Sequence, residues 1–597
     1  MLHFLQEQRN QNRSDDVEKT MLESHHMETD VFIIGGGIAG IRAAIEASQQ
    51  GTSVILANKG YVGQDGAVVW MAGGGYQAAL YGPDSIDQHI RDTIKAGKYL
   101  NNQELVQAFL SLAPESVHDL DRWGVRWKKE EGKYPQIRMP GETHPRSMLH
   151  SKTGEHFGGE YRKVLPRRIR REKNITLLND MFVIDLLRKG EAVVGAVGLD
   201  IKDGQFRIIG AKSTILATGG FMDCFEFTTA NPTATGDGHG IACRAGARMI
   251  DMEFIQFFPA AALWPANVYR DAYPYGLIYE LYGILYNRLG ERFMERYSPV
   301  EKDFATRQAQ SRAIAREVRE GRGSPHGGAY LSFRHLPRNL LDAYLRECWD
   351  VPFFRSLREA GVDIREDAIE IGPAAHYVQG GCWINELCET NLPGLYAAGE
   401  VGSGGKDGAD RLAGNALPFC MAMGYVAGKE AAHRAKAITM PKIDEIQAEA
   451  ICNEALAPLE REEGIRPTEL KKRIRRLMSR CMMFERKGEE LEKGIKELED
   501  MRNEMLPRVW SSAKIRRFNL EWMEALEVRN MFGIAEMAMR SALMRTESRG
   551  LHERADFPDE DPLWLKHIIV IQKGNGLELT TEPVVFTLLK PSESSKT

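Results

Sequence analysis

Two apolar segments closed by glycine, one near the start of the chain and one far along it, constrain the fold more than any other feature. Residues 30–34 form a mostly apolar run that leads into Gly35-x-Gly37-x-x-Gly40, and residues 394–400 repeat the pattern of an apolar strand closed by glycine. A glycine turn between a buried strand and a helix lets the backbone approach a pyrophosphate, which the helix N-terminus then faces. We therefore expect a Rossmann-like α/β nucleotide-binding fold whose strands come from distant parts of the sequence.

An asparagine stands where such a domain usually carries the acid that binds a ribose. The second strand is expected over residues 53–57 and is followed by Asn58 and Lys59. Asn58 can still accept a hydrogen bond from a ribose hydroxyl, but its lack of charge argues against a plain NAD enzyme. The candidate nucleotide-binding residues of this region are Gly35, Gly37, Ile38, Ala39, Gly40, Asn58 and Lys59.

Length and composition describe a multidomain protein without the signature of a nucleic-acid-binding chain. At 597 residues the chain is longer than one hydrophobic core organises. Its net charge of −5 argues against a basic nucleic-acid footprint, and no apolar run approaches the roughly 18 residues that span a bilayer. None of the eight cysteines has the Cys-x-x-Cys spacing of an iron–sulfur or c-type haem site. We expect a cytoplasmic protein with no metal site, cluster or haem of its own.

Changes in composition predict five segments along the chain. The polar start lacks the apolar stretch of a signal peptide and is expected to be a disordered lead-in. Apolar residues at helical spacing in the last third predict a helical domain that ends in a β-prone tail. The expected segments are 1–28 (lead-in), 29–244 and 376–436 (the two parts of the nucleotide-binding domain), 245–375 (an inserted α+β capping domain) and 437–597 (the C-terminal helical domain).

Six short segments spread over the chain carry the motifs of one family. They are residues 35–37, 217–220 (Ala-Thr-Gly-Gly), 235–238 (Thr-Gly-Asp-Gly), 290–297 (Gly-Glu-Arg-Phe-Met-Glu-Arg-Tyr), 408–417 (Gly-Ala-Asp-Arg-Leu-Ala-Gly-Asn-Ala-Leu) and 545–552 (Arg-Thr-Glu-Ser-Arg-Gly-Leu-His). With these motifs the chain resembles the flavoprotein subunits of succinate dehydrogenase and fumarate reductase, with L-aspartate oxidase and adenylylsulfate reductase as relatives. The resemblance runs from about residue 30 to about residue 567.

The resemblance implies FAD as the cofactor. It adds to the cofactor-binding residues Gly66, Gly73, Gly74, Ala217, Thr218, Gly219, Asp237, Glu400, Asn415, Ala416 and Leu417. In this family the strand-end glutamate, here Glu400, holds the ribityl chain. The helix that opens at residues 415–417 is aimed at the N1–C2 edge of the flavin, where its positive dipole end stabilises the reduced anion. Members with covalent FAD carry a histidine after the second strand, whereas residues 64–74 contain none, so we expect non-covalent FAD.

The resemblance also assigns three catalytic residues. Arg307, in the segment Thr-Arg-Gln-Ala-Gln-Ser-Arg, matches the arginine that gives a proton to one alkene carbon while a hydride reaches the other. The neighbouring Gln308 departs from the usual aspartate. His376 matches the histidine that binds a substrate carboxylate, and Arg411 matches the arginine whose bidentate fork clamps the same group. One carboxylate-binding half of the site is therefore expected.

The second carboxylate-binding half is expected to be absent. Phe258 stands where dicarboxylate enzymes of the family have a histidine, Gly276 aligns near their Thr-Glu pair, and Tyr279 aligns with a relay arginine. A far carboxylate would meet an aromatic wall without a partner, which is costly, whereas an alkyl or aryl tail fits such a wall. We expect a substrate with one carboxylate-like head and an apolar tail. The alternative is that nearby aromatic residues, Trp264 and Tyr282 among them, are core residues of the inserted domain.

The predicted function is that of an FAD-dependent oxidoreductase acting on a carbon–carbon bond next to a carboxylate, with an unsaturated acid or its saturated form as substrate. The resemblance implies that the partner is an iron–sulfur or other electron-transfer subunit, through which alone a membrane would be reached. Three alternatives stay open: a dicarboxylate fumarate reductase or succinate dehydrogenase, an enzyme similar to L-aspartate oxidase, and a flavin-bearing electron-transfer subunit similar to adenylylsulfate reductase. Retention of Arg307, His376 and Arg411 argues against the last.

Overall fold

The computed structural model describes residues 25–66, 76–148, 159–265, 281–347, 352–574 and 576–591. The predicted site residues that lie outside these ranges are Gly73, Gly74, Gly276 and Tyr279. Within the described ranges, no helix combines the length and the apolar character that crossing a bilayer requires.

The strands, in chain order, are β1 (His25–Ile34), β2 (Val54–Asn58), β3 (Tyr76–Gln77), β4 (Gln136–Ile137), β5 (Ser147–Met148), β6 (Ile175–Asn179), β7 (Met181–Lys189), β8 (Ala192–Asp200), β9 (Gln205–Leu216), β10 (Met249–Ile250), β11 (Ile255–Trp264), β12 (Ile284–Tyr286), β13 (Ala329–Ser332), β14 (Ile369–Val378), β15 (Gly381–Cys382), β16 (Leu395–Ala397), β17 (Lys566–Lys573) and β18 (Gly576–Pro583).

The α-helices, in the same order, are α1 (Ile38–Gln49), α2 (Ile86–Ala96), α3 (Gln103–Trp123), α4 (Gly159–Ile169), α5 (Asp237–Arg244), α6 (Met294–Tyr297), α7 (Arg307–Arg319), α8 (Arg338–Glu347), α9 (Pro352–Glu359), α10 (Ala416–Ala437), α11 (Glu445–Glu460), α12 (Pro467–Met482), α13 (Gly488–Glu504) and α14 (Leu520–Met544).

The nucleotide-binding domain is built on a sheet with the strand order β6-β2-β1-β9-β8-β7, and β16 pairs with the end of β9. Strands β6, β2, β1, β9 and β16 run parallel to one another, whereas β7 and β8 are antiparallel. Leu216 at the end of β9 pairs with Ile34 on one side and with Ala397 on the other. The glycine segments that follow these three strands therefore meet at one edge of the sheet, where α/β folds bind their ligands.

Helices α1 and α10 pack on this sheet and against each other. A Cβ atom on Gly424 would lie 2.6 Å from the carbonyl oxygen of Ala39, and one on Gly428 would lie 2.4 Å from that of Ala43. Only glycine permits this approach of two backbones. The contact fixes α10, which belongs to the second part of the domain, against the helix that follows the first glycine motif.

Strand β1 extends the central sheet further towards the N-terminus than the sequence indicated. His25 pairs with Arg207 and Glu28 pairs with Gly210 in the parallel ladder with β9. The expected end of the lead-in at residue 28 is therefore wrong, because residues 25–28 continue the hydrogen-bonded pairing of the strand.

The inserted capping domain is built on the antiparallel sheet β11-β14-β13-β12, against which α7 packs. Its core includes Phe258, Leu285, Ile314 and Ile371. Because this sheet runs from Ile255 to Val378, the expected limits at 245 and 375 move to these residues. The two-residue strand β10 lies before the cap and pairs with β15 and β17 instead.

The C-terminal region contains helices α11–α14 and ends in the hairpin β17–β18. Helix α14 is largely buried, with Trp522, Met531 and Met539 fully enclosed, and it contacts α12, α13 and the nucleotide-domain helix α5. The β-prone residues 568–571 lie in β17, which pairs with β10. The hairpin thus ties the end of the chain to the start of the cap.

Candidate active site

A cavity opens at the edge of the central sheet where β1, β2, β9 and β16 end. Its walls contain twelve of the residues that the sequence predicted for the cofactor, namely Gly35, Gly37, Ile38, Ala39, Asn58, Lys59, Gly66, Ala217, Thr218, Gly219, Asp237 and Glu400. Sequence reasoning missed Met181, Phe182, Val183, Thr233, Ala234 and Cys420, which also line it. Strand β7 and helix α10 supply several of these residues, and no glycine motif marks either element.

Two glycines of the first motif act in different ways. Gly35 has φ of +112°, and a Cβ atom there would lie 2.2 Å from the carbonyl oxygen of Ala217. Gly40 does not line the cavity, because it faces the strand: a Cβ atom on it would lie 1.8 Å from the carbonyl oxygen of Gly35. Gly35 therefore shapes the turn, whereas Gly40 permits the packing of α1 on β1.

Polar atoms that face the cavity fit a nucleotide. Asn58 Oδ1 accepts a hydrogen bond from the backbone N–H of Gly36 at 2.8 Å, which orients the side-chain amide. Asn58 Nδ2 and the hydroxyl of Thr218 are buried and have no hydrogen-bond partner within the described residues. Because a buried donor left unpaired is costly, these two groups suit the ribose or phosphate oxygens of a bound nucleotide. Asn58 therefore offers a donor at this point, not only the acceptor that the sequence suggested.

The charged ends of Lys59 and Asp237 are engaged with each other. Lys59 Nζ lies 2.7 Å from Asp237 Oδ2 and 2.7 Å from Glu527 Oε1 on α14, and Thr235 Oγ1 is also 2.7 Å away. The carboxylates outweigh the opposing effect of burial and raise the pKa of Lys59 above its ordinary value. The two residues line the cavity as predicted, but their ion pair joins the nucleotide domain to the C-terminal helices.

Glu400 lies at the end of β16, buried between the nucleotide domain and the cap. It accepts a hydrogen bond from the backbone N–H of Val378 at 3.0 Å. A Cβ atom on Gly220 would lie 2.3 Å from Glu400 Oε1. Burial raises the pKa of this carboxyl to about 7, so its neutral and charged forms are close in free energy.

Asn415, Ala416 and Leu417 form the start of α10 and do not line the described nucleotide cavity. Asn415 Oδ1 lies 2.9 Å from His89 Nε2, and its amide nitrogen donates to Thr93 Oγ1 at 3.0 Å. Burial lowers the pKa of His89 to about 3, so the ring is neutral and its Nε2–H donates to Asn415. The N-terminus of α10 is thus held by side chains from α2.

A second cavity, of about 840 Å³, lies between the nucleotide domain and the cap. The cap contributes Gln256 from β11 and the residues around the start of α7, including Arg307. The nucleotide domain contributes residues 410–413, including Arg411. The predicted proton donor and the predicted carboxylate clamp therefore share one cavity.

Gln256 joins the two arginines. Its Oε1 atom accepts hydrogen bonds from Arg411 Nη2 at 2.9 Å and from Arg307 Nη1 at 3.5 Å. Arg307 is the first residue of α7, and the hydroxyl of Thr306 caps this helix by accepting the N–H of Ala309 at 3.3 Å. Sequence reasoning missed Gln256, although its position two residues before Phe258 was a signal for it.

His376 lies on β14 close to both arginines. Its Nδ1 is 2.9 Å from Thr229 Oγ1. Burial, and then the positive charges of Arg307 and Arg411, lower its pKa well below the ordinary value. The imidazole is therefore neutral. The guanidinium of Arg411 stacks on the ring of the next residue, Tyr377, 4.0 Å from its centroid.

Phe258 is fully buried between Arg307 and His376. Its ring lies 5.5 Å from the imidazole and 5.8 Å from the Arg307 guanidinium carbon. Trp264 and Tyr282, in contrast, are 49% and 62% exposed, so the expectation that they stand around the site or form the cap core is wrong. Trp264 stacks on His326 at 4.7 Å instead.

Comparison with known proteins identifies the family. The profile of the FAD binding domain matches residues 30–417, and that of the fumarate reductase flavoprotein C-terminus matches residues 471–596. The chain belongs to the succinate dehydrogenase and fumarate reductase flavoprotein family. The predicted fold, family and FAD cofactor are thereby confirmed, and the chain is an FAD-dependent oxidoreductase of the class that acts on CH–CH groups.

Members of this family match the chain over nearly its whole length. One of the subunits of the CoM/CoB fumarate reductase of Methanothermobacter marburgensis is 35% identical over 92% of this chain and 98% of its own. The fumarate reductase flavoprotein subunit of Mycobacterium tuberculosis is 31% identical over 94% and 98%. Among solved structures, FrdA of Escherichia coli quinol fumarate reductase superposes with a TM-score of 0.87 at 28% identity, covering 95% of this chain and 99% of that one.

Proposed function

We propose that this chain transfers a hydride between bound FAD and a carbon–carbon bond next to a carboxylate, and that it grips one anionic end of a substrate whose remainder is apolar. Bound FAD supplies hydride transfer at its N5 atom. The Gly35 turn would hold the pyrophosphate, Asn58 the ribose and Glu400 the ribityl chain. The observation that supports the proposal most is that Arg307, Arg411 and neutral His376 surround one cavity wall.

Arg411 and His376 bind the carboxylate in this proposal. The guanidinium of Arg411 is oriented by Gln256 and by the face of Tyr377, which leaves its planar fork suited to a bidentate carboxylate. His376 is neutral and keeps one ring N–H as a donor. Polarisation of the carboxylate by these donors stabilises the negative charge that develops when a hydride adds to the neighbouring alkene.

Arg307 gives the proton to the second alkene carbon. Its position at the first residue of α7 places it at the positive end of the helix dipole, and Arg411 adds a second positive charge that shares the side-chain oxygen of Gln256. Both repel a cation, which favours transfer of a proton to a substrate carbanion. Removal of such a general acid lowers rates by about 10²- to 10⁴-fold.

Phe258 supports a single-anion substrate. It occupies the position where dicarboxylate enzymes of the family have a histidine, and it is buried against His376 and Arg307. A carboxylate placed against this ring would be desolvated without a hydrogen-bond donor from that side, which is costly. An alkyl or aryl group has no such cost.

A dicarboxylate substrate is the second candidate, favoured by a different observation. Arg138 and Lys98 line the same cavity, and either cation can pair with a second carboxylate. The relatives named above as fumarate reductases act, by name, on a dicarboxylate. We further propose non-covalent FAD and electron delivery by an iron–sulfur or other electron-transfer subunit, supported by relatives named as subunits.

One experiment separates these candidates. The purified flavoprotein is reduced with dithionite without oxygen, and flavin reoxidation is followed after mixing with fumarate or with cinnamate, an unsaturated acid with one carboxylate and an aryl tail. We expect faster reoxidation by cinnamate. Faster reoxidation by fumarate would support the dicarboxylate enzyme, and no reoxidation by either, with dye reduction intact, would support a role in electron transfer alone.

The substitution Phe258→His tests the single-anion assignment. A histidine at this position supplies a hydrogen bond to a second carboxylate, and such bonds to charged groups contribute about 1.5–3 kcal/mol, equivalent to about 10- to 150-fold. We expect kcat/KM for fumarate to rise within this range relative to cinnamate. Phe258→Leu, which keeps the position apolar, is the matched control and should not change the ratio. An unchanged ratio in Phe258→His would contradict the assignment.

A further inference from the structure

Asp410 presents a carboxyl group in the wall of the substrate cavity, and the proposed mechanism gives it no role. Gln256 Nε2 donates a hydrogen bond to Asp410 Oδ1 at 3.3 Å. The other end of the same carboxamide accepts hydrogen bonds from Arg411 at 2.9 Å and Arg307 at 3.5 Å. One amide therefore connects this carboxyl group to both arginines.

The backbone around Asp410 is fixed. The N–H of the preceding residue, Ala409, donates to the carbonyl of Gly97 at 3.0 Å, and its carbonyl accepts from Leu551 at 2.9 Å. The next residue is Arg411 itself. The carboxyl group is thus held on a rigid segment that also positions the substrate clamp.

Proton transfer by Arg307 requires a source that restores the guanidinium in every turnover. Its neighbour on α7, Gln308, carries a carboxamide, which is not an acid at ordinary pH. Gly276 and Tyr279 bring no carboxyl group to the positions of the family's relay. A carboxyl group elsewhere in the cavity must therefore supply the proton, unless solvent does so directly.

We propose that Asp410 is this source, an inference that rests on the role of Arg307 in the proposed function. In the reductive direction, an N–H bond of Arg307 breaks as a C–H bond forms on the substrate carbanion. The Asp410 O–H then gives its proton to the neutral guanidine, through water in the cavity that both side chains line. The resulting carboxylate recovers a proton from solvent, and no electron leaves or enters in these steps.

The electrostatic surroundings give Asp410 both protonation states near neutral pH. Burial raises its pKa to about 6, against the opposing effects of the Gln256 hydrogen bond and of Arg312 and Arg307 on α7. The other charged groups that face it across the cavity are Arg411, Arg138, Lys95, Lys98, Asp92, Glu142 and Glu301.

Other carboxyl groups of the cavity are held by different partners. Asp92 Oδ2 lies 2.7 Å from Arg146 Nη2 and accepts the backbone N–H of Thr143. Glu142 accepts the backbone N–H of Met139 at 2.8 Å, and burial raises its pKa to about 8. Among the described cavity residues, Asp410 is the acid whose hydrogen bond reaches the amide that holds Arg307.

The test is the pH profile of flavin reoxidation in Asp410→Asn. The reduced holoprotein is mixed with whichever of fumarate and cinnamate reoxidises the wild type faster. Because Asp410 must be protonated to donate, we expect the wild-type rate to fall as pH rises through about 6. Asp410→Asn should lower the maximal rate about 10- to 100-fold and remove this inflection, with unchanged KM. Asp410→Glu should restore both, and Glu301→Gln, an exposed carboxylate at the cavity mouth, should behave as wild type.

Several outcomes would overturn the inference. Asp410→Asn with a wild-type pH profile would show that another group supplies the proton, and a change confined to KM would make Asp410 a binding residue. Failure of the wild type to react, in contrast, contradicts the proposed function and not the proton source. Dye reduction of the bound flavin, which needs no substrate proton, should be the same in all variants and reports that they are folded.

Discussion

At the scale of single residues, the site depends on how two positive side chains are held beside each other. Arg307 and Arg411 come from different domains and meet on one oxygen of Gln256. Repulsion between the two guanidinium groups is offset by this shared acceptor and by the aromatic faces of Phe258 and Tyr377. An anionic substrate head that enters the cavity relieves the same repulsion, which favours its binding next to the proton donor.

The substitution Arg307→Ala should separate proton donation from flavin binding. We expect substrate-driven reoxidation to fall about 10²- to 10⁴-fold, while FAD content and reduction by artificial dyes stay unchanged, because Arg307 does not line the nucleotide cavity. Stopped-flow absorbance of the flavin measures both. Arg316→Ala, an exposed position on the same helix that pairs with Glu485 at 3.2 Å, is the matched control. Equal losses in the two variants would mean that the effect comes from the helix and not from the acid.

The sequence indicated the catalytic side chains but not what surrounds them. Arg307, His376 and Arg411 are recognisable because short motifs enclose them. Gln256 was missed because its role depends on a hydrogen bond across the cap interface, which no local pattern encodes. Lys59 was predicted as a cofactor contact, but its partner Glu527 lies 468 positions further along the chain. Contacts at such a separation follow from tertiary packing alone.

At the scale of elements, α7 connects the catalytic arginine at its start to a buried carboxylate near its end. Glu317 is fully buried and accepts hydrogen bonds from Tyr297 at 2.7 Å, Asn287 at 2.8 Å and Arg322 at 2.7 Å. These contacts join α7 to α6 and to the end of β12. The position of Arg307 therefore depends on a carboxylate about three helical turns away.

Glu317→Gln should destabilise the cap and remove part of its acid sensitivity. Burial opposes ionisation, but hydrogen bonds from Arg322, Asn287 and Tyr297 prevail and lower the pKa of Glu317 to about 2. A depressed carboxyl pKa contributes stability that is present above the unfolded value of about 4.3 and is lost as pH falls towards 2. The loss in the variant should stay below the roughly 3–5 kcal/mol of a broken buried ion pair, because glutamine keeps some of these hydrogen bonds.

The measurement is thermal unfolding of both proteins between pH 7 and pH 4, with hydrogen exchange of the α7 amides as a local report. We expect a lower Tm and faster α7 exchange in Glu317→Gln at pH 7, and a difference in Tm that shrinks as pH falls below about 5. Glu320→Gln, an exposed neighbour that pairs with Arg322, should show neither effect. A difference in Tm that is independent of pH would contradict the role of the ionised carboxylate.

The elements that could be predicted are those with local signals. Strands β1, β2, β9 and β16 are apolar runs next to glycine, and residues 568–571 are β-prone and lie in β17. The sheet in which β17 takes part was not predictable, because its neighbour β10 is two residues long and more than half the chain away. The limits of the cap shifted for the same reason, since strand pairing sets them and composition does not.

At the scale of the whole molecule, one buried ion cluster joins the nucleotide domain to the C-terminal helices. Glu527 on α14 lies 2.7 Å from Lys59 after β2 and 2.7 Å from Lys471 on α12. Asp237 on α5 completes the cluster with Lys59 and accepts a hydrogen bond from Asn530 at 2.8 Å. Two of these residues line the FAD cavity, so the packing of the C-terminal helices and the shape of the cofactor site are coupled.

Glu527→Gln should therefore weaken both folding and FAD retention. The substitution leaves two buried lysines with one carboxylate between them, and breaking a buried pair from one side costs about 3–5 kcal/mol. We expect a lower Tm for the apoprotein and a larger FAD concentration to reach the same Tm, because bound ligand stabilises in proportion to RT ln(1 + [FAD]/Kd). Flavin fluorescence during thermal unfolding at several FAD concentrations measures both. Glu524→Gln, one turn earlier on α14 and 3.8 Å from Lys471, is half-exposed and should change neither. If Glu527→Gln lowered the apoprotein Tm without raising the Kd for FAD, the cluster would fasten the two regions together and have no influence on the cofactor site.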